Sequence, residues 1–118
     1  MKVGALYLNN KTLEYSVGIA DHYFLRLRGL IGRNVKELGG LWIVPCNQIH
    51  MFFMKEPIDA VYLSKNGTVL KIEADIPTGT ICKPVRSCRQ VLELPAGMAE
   101  QLFIHCGDTV TIVPIKAK

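Results

Sequence analysis

The densest chemistry in this 118-residue chain lies in PCNQIHMFFMKEPID, residues 45–59, which brings a thiol, amides, an imidazole, two thioethers and carboxylates into one short segment. Such a set could hold a soft metal, copper or zinc. On an extended strand, Cys46, Gln48, His50, Phe52 and Met54 share one face, and positions four apart are separated by about 13 Å. These groups converge on one ion only if the Pro45-Cys46-Asn47 corner folds back or a second strand supplies His105 or Cys106. The plainer expectation is a core in which Met and Phe pack and Cys46 fills a small apolar gap.

His50 is the imidazole with apolar neighbours on both sides in sequence. It is expected either to bond within the fold or to face a ligand as an acid/base group. Asp59, in PIDAVYL, opens a strand whose two faces both read as apolar, and a buried carboxylate needs partners. It either accepts backbone N–H bonds and anchors a neighbouring loop, or lines a pocket with His50 or an arginine. Glu93, between the apolar residues of VLELP, faces solvent or a cavity. Asp108, in HCGDTV, reads as a turn residue before a strand. Cys46, Cys82, Cys88 and Cys106 form no CxxC pair and no zinc-finger spacing. Buried reduced thiols are the expectation, with a Cys82–Cys88 bridge conceivable on export and a metal or redox role for Cys46, Cys82, Cys88 and His105 as a further alternative. No nucleophile elbow, HExxH helix, P-loop or dinucleotide fingerprint occurs, and no residue pattern identifies a cofactor.

The elements that must position these groups are short. Val3–Leu8 and Thr12–Ala20 read as two strands joined by a turn at Asn9-Asn10-Lys11, since Asn tolerates positive φ. Asp21 then caps a predicted amphipathic helix with Tyr23, Leu27, Leu30 and Ile31 on one face and Gly32 as its stop. Strands are predicted at 41–44, 48–53 and 58–64, broken by Pro45 and Pro57. Asn66-Gly67 marks a hairpin with a type I′ turn between 60–65 and 68–74. A surface loop, IPTGTICKPVRSC, follows; then come a strand over 89–94, a helical turn over 96–103 and a closing strand over 109–115. Many short strands without a βαβ rhythm predict a mainly β fold, an antiparallel sandwich or barrel-like sandwich with one or two short helices, in a single domain over 1–118.

Hydrophobic residues make up 49% of the chain and charged residues 20%, which excludes disordered and fibrous classes. Fourteen Lys and Arg against ten Asp and Glu give a net charge of +4. The excess is loosely grouped at Arg26, Arg28, Arg33 and Lys36 and at Lys83, Arg86 and Arg89. Without a groove-reading motif or aromatic/basic alternation, these groups argue against nucleic acid as the partner. No run approaches the length of a membrane span, and no signal-peptide pattern is present, so a cytoplasmic protein is expected.

GLIGR (Gly29–Arg33), FFMKEPIDAVYLSKNGTVLKI (Phe52–Ile72), VLELPAGMA (Val91–Ala99) and GDTV (Gly107–Val110), in that order, resemble the domain-of-unknown-function 192 family over about residues 17–113. The resemblance implies a compact β-sandwich with short helices, and relatives that are often exported. Where the family shows an aromatic residue followed by Met-Lys-Asn-Thr, this chain has Phe53, Met54 and Lys55 and then Glu56 and Pro57. Met54, Lys55, Asp59, Glu93, Gly97 and Asp108 belong to the recurring motif, which implies no catalytic assignment. Together these readings predict a non-catalytic ligand-binding or accessory module, with ligand contacts drawn from His50, Met54, Lys55, Asp59, Glu93 and Asp108. The partner is a small molecule or another protein. The alternatives are a carbohydrate or ester hydrolase using Asp59 and His50 as an acid/base pair, and the metal or redox protein above.

Overall fold

The computed structural model describes residues 2–20, 39–48 and 56–115. The predicted helix after Asp21 lies outside them, as do the predicted 48–53 strand beyond Gln48 and the side chains of His50, Met54 and Lys55.

Asn9 and Asn10, at φ 50° and 69°, form the two-residue turn that the sequence predicts, and they join β1 (Val3–Leu8) to β2 (Lys11–Ala20) with Leu8 opposite Lys11. β3 (Leu41–Ile43) pairs in parallel with β2. β4 (Ile58–Ser64), β5 (Val69–Ile76), β6 (Cys88–Pro95) and β7 (Val110–Pro114) complete one seven-stranded, mostly antiparallel sheet in the order β5-β4-β6-β3-β2-β1-β7. A single short helix, α1 (Met98–Gln101), is present among the described residues. The fold is mainly β, as expected.

The sheet curls until its two outer strands meet at one end. Thr68 bridges Thr109, the Val69 N–H donates to Asp108 O (2.8 Å), and the Val110 N–H donates to Gly67 O (2.8 Å). This closure explains a departure from the predicted hairpin. Gly67 has φ 87° and Asn66 stays at negative φ, so the connection is a three-residue loop, with the Gly67 N–H bonded to Ser64 O (2.9 Å), and not the two-residue type I′ turn. Glycine is required here twice over, because a Cβ at Gly67 would also stand 2.4 Å from Val110 O. Beyond the contact, the outer edge of β7 pairs with no strand among the described residues. The Ile115 N–H donates to Val3 O while that of Val110 points the other way, so alternation puts the nitrogen of Pro114 on the open side, where a missing N–H blunts edge pairing.

Both faces of the sheet are buried along its middle, and β4 is buried from Ile58 to Leu63. The concave face gathers Leu6, Val17, Val61, Leu63, Leu92 and Leu94 under Ala99 of α1 and Ile104. The opposite face gathers Leu41, Ile43, Ile58, Ala60, Tyr62 and Val91, with Cys82 and Cys88 packed on it. Near-continuous apolar sequence in β4 and β6 follows from that double burial.

Candidate functional site

The structure places the three described candidate carboxylates in three separate locations. Asp59, 1% exposed, lies on the concave face. Its Oδ1 accepts the Asp75 N–H (2.9 Å), and its Oδ2 accepts the N–H groups of Gly97 and Ala99 (3.0 Å each). Asp75 is free to donate because β5 bulges there, with φ 53° at Asp75 and a register shift between Ile58 and Ala60. Gly97 and Ala99 open α1, so Asp59 supplies across the sheet what an N-cap side chain supplies locally. Of the two roles expected for Asp59, anchoring a loop through backbone bonds is the one whose partners are in place. Three of the roughly four acceptor positions of the carboxylate are taken up by those backbone N–H groups.

Glu93 stands opposite Leu41 of β3 and Ala60 of β4, and therefore points to the other face. It is 4% exposed and makes no hydrogen bond to a described residue; burial pushes its carboxyl up to about 8 from an ordinary 4.5. Tyr62, one position along on the same face, has a buried hydroxyl without a hydrogen-bond partner among the described residues. Burial raises its pKa, and the nearby Cys82 and Glu73 raise it further. Asp108 is a turn residue, as expected: it accepts the His105 N–H (2.8 Å) and the Asn9 side-chain amide (3.2 Å). Those bonds, the His105 one foremost, lower its pKa.

None of the four cysteines is in a disulfide. Burial pushes the Cys82 and Cys88 thiols up, which holds them protonated and weakens them as nucleophiles and ligands. Among the described residues no three His, Cys, Asp or Glu side chains converge on a metal-sized site.

The geometry does gather a different set. A cleft of about 420 Å³ opens between β3, the β4–β5 loop, β6 and β7. Trp42, Lys65, Arg89 and Gln90 form its polar and aromatic side, and Val110 and Ile112 lie opposite. Gln90 is the brace: its Oε1 accepts the Trp42 Nε1–H (2.9 Å) and its Nε2 donates to Ser64 O (2.8 Å), tying the indole to the hairpin that carries Lys65. With its one N–H used, the indole offers the cleft carbon surface and ring face only. Lys65 and Arg89 are exposed and have no carboxylate partner among the described residues, and no described acidic side chain lines the cleft. Sequence reasoning noticed Arg89 as one of a loose basic group but not its neighbours. The available signal was the single tryptophan of the chain.

A family model for DUF192, uncharacterized ACR, matches residues 6–112. The chain belongs to DUF192. The match takes in the end of β1, from Leu6, so it reaches further toward the N-terminus than the four motifs alone. DUF192 relatives include a UPF0127 protein of Pyrococcus abyssi, 29% identical over 115 residues that cover 92% of this chain and 97% of that one. A UPF0127 protein of Pyrococcus horikoshii is 30% identical over 106 residues, covering 86% and 90%. The match to a Thermococcus sibiricus UPF0127 protein, 29% identical over 99 residues, covers 80% of this chain and 64% of the longer relative. Two crystal structures share the fold at 21% identity. One, a putative transcription regulator from Sinorhizobium meliloti, has a TM-score of 0.77 over 94% of this chain and 92% of that one. The other, a protein of unknown function from Novosphingobium aromaticivorans, has a TM-score of 0.72 over 94% and 84%. No described helix of this DUF192 protein is long and apolar enough to cross a membrane.

Proposed function

We propose that this DUF192 chain is a non-catalytic binding module whose ligand is a small organic anion held in the Trp42/Lys65/Arg89 cleft. The observation that carries this reading is that two cations without a carboxylate partner among the described residues line one hollow with a braced indole. A carboxylate or phosphate gains charge-assisted hydrogen bonds from Arg89 and Lys65, while an apolar body leaves water for the indole. Nothing among the lining residues supplies a nucleophile with an adjacent base, and the buried carboxylates Asp59 and Glu93 lie elsewhere, which favours binding over turnover. The net charge of +4 adds a weak long-range attraction for such a ligand.

The test is a thermal-shift screen of carboxylate- and phosphate-bearing small molecules against the wild type and a Lys65→Ala/Arg89→Ala double variant. At least one acid is expected to raise the wild-type melting temperature and to lose that effect in the variant. Equal shifts in both proteins, or none in either, overturn the reading.

A further inference from the structure

The cleft does not end at Arg89. A second hollow of about 240 Å³ lies on its other side, lined by Cys46, Asn47 and Cys88, and Pro45 and Arg89 line both hollows. The ridge between them is fixed by backbone: the Cys46 N–H donates to Arg89 O (2.9 Å), and the Val85 N–H donates to Asn47 O (3.0 Å). The two linings differ in chemistry. On one side stand Trp42 and the aliphatic Val110 and Ile112; on the other, Asn47 and the two cysteines, Cys46 and Cys88. Arg89, whose guanidinium has two hydrogen-bonding edges, lines both, and neither hollow has an acidic residue in its described lining.

We infer, resting on the binding reading above, that the ligand carries its anionic group internally. It is an aromatic body joined through a phosphate to a second, polar part, as in a dinucleoside phosphate or a nucleotide-linked coenzyme. A terminal acid would fill the Trp42 hollow and stop at Arg89, leaving the second hollow to water. An internal phosphate presents two non-bridging oxygens to the Arg89 fork and lets the chain of the ligand pass over Pro45 into both spaces. The aromatic part stacks on Trp42, whose ring is held in place through Gln90 and so loses little freedom on binding. Lys65, on the hairpin side, adds charge without fixing direction. A small molecule is the occupant favoured, because the two hollows, of about 420 and 240 Å³, are local and the sequence carries no aromatic/basic alternation to track a continuing strand.

Because Trp42 is the only tryptophan, its fluorescence reports the site directly. The probes are inorganic phosphate, adenosine monophosphate, the dinucleoside phosphate ApA and a ten-residue oligoadenylate, each titrated into the full chain. ApA is expected to quench Trp42 and to bind at least about tenfold more tightly than adenosine monophosphate, a gap of about 1.4 kcal/mol. Arg89→Ala weakens both ligands. Asn47→Phe, which fills the second hollow, removes the ApA advantage and leaves adenosine monophosphate unchanged, with circular dichroism confirming that both variants are folded. If adenosine monophosphate and ApA bind equally, the internal-anion inference is overturned and the cleft remains a binding site. If neither binds, and the acid screen above is also empty, both readings are overturned. Oligoadenylate binding more than tenfold tighter than ApA overturns a small-molecule occupant in favour of single-stranded nucleic acid.

Discussion

Glu93→Gln should stabilise the protein by an amount that grows with pH. The carboxyl is 4% exposed, stands between Leu41 and Ala60 on the neighbouring strands, and takes no hydrogen bond from a described residue. Burial raises its pKa from 4.5 to about 8. Below pH 4.5 the group is protonated in folded and unfolded chains alike, and it costs nothing. Between pH 4.5 and 8 the unfolded chain ionises while the folded one stays protonated, so stability falls as pH rises, by about 1.4 kcal/mol for each pH unit. Above pH 8 both forms are ionised and the loss is constant. At pH 7 the loss reaches about 3 kcal/mol, a substantial share of a domain stability of about 5–15 kcal/mol. Glutamine has nearly the same shape and no charge at any pH. Urea unfolding of wild type and variant at pH 4.5, 6, 7 and 8.5 therefore starts from similar midpoints and diverges steadily. A difference that is the same at every pH, or a variant less stable than wild type at pH 7, would refute the assignment of Glu93 as a carboxyl penalised by burial.

Asp59→Ala strips the acceptor from three backbone N–H groups, at Asp75, Gly97 and Ala99, and should cost about 4 kcal/mol. Hydrogen exchange at those three amides should accelerate more than elsewhere; a loss below 1 kcal/mol with their exchange unchanged would show that the carboxylate does not anchor α1. Tyr62→Phe removes a buried hydroxyl that has no partner at hydrogen-bonding geometry among the described residues, although Cys82 and Glu73 lie near it, so the variant should be at least as stable as wild type, by up to about 1 kcal/mol. Destabilisation by more than that in the same urea assay means the hydroxyl is bonded in solution.

How much of this was legible differs from element to element. β4 was readable from Ile58 to Ser64 because Pro57 marks its start and Asn66-Gly67 its end, and both signals act through local backbone sterics. Asp59 was readable as a buried carboxylate in need of partners, since a charge at the start of a strand with two apolar faces has no solvent to turn to. Its partners were not readable. They lie 16, 38 and 40 residues away and are backbone amides, which carry no sequence signature. The grouping of Asp59, Glu93 and Asp108 as one ligand set rested on their shared place in recurring motifs. Strand alternation sends Asp59 and Glu93 to opposite faces, and Asp108 serves its own turn.

By itself, then, the sequence determined the mainly β class, the positions of the turns and most strand limits, because alternation and turn chemistry act between residues that are neighbours along the chain. Only the tertiary structure decided how the sheet closes, that Gly67 must pass beside Val110, and that Trp42, Lys65 and Arg89 share one cleft. Those three residues come from β3, the β4–β5 loop and β6. Curling the sheet until β5 meets β7 brings these segments into register, and that approach depends on the summed packing of both faces, which no local pattern encodes.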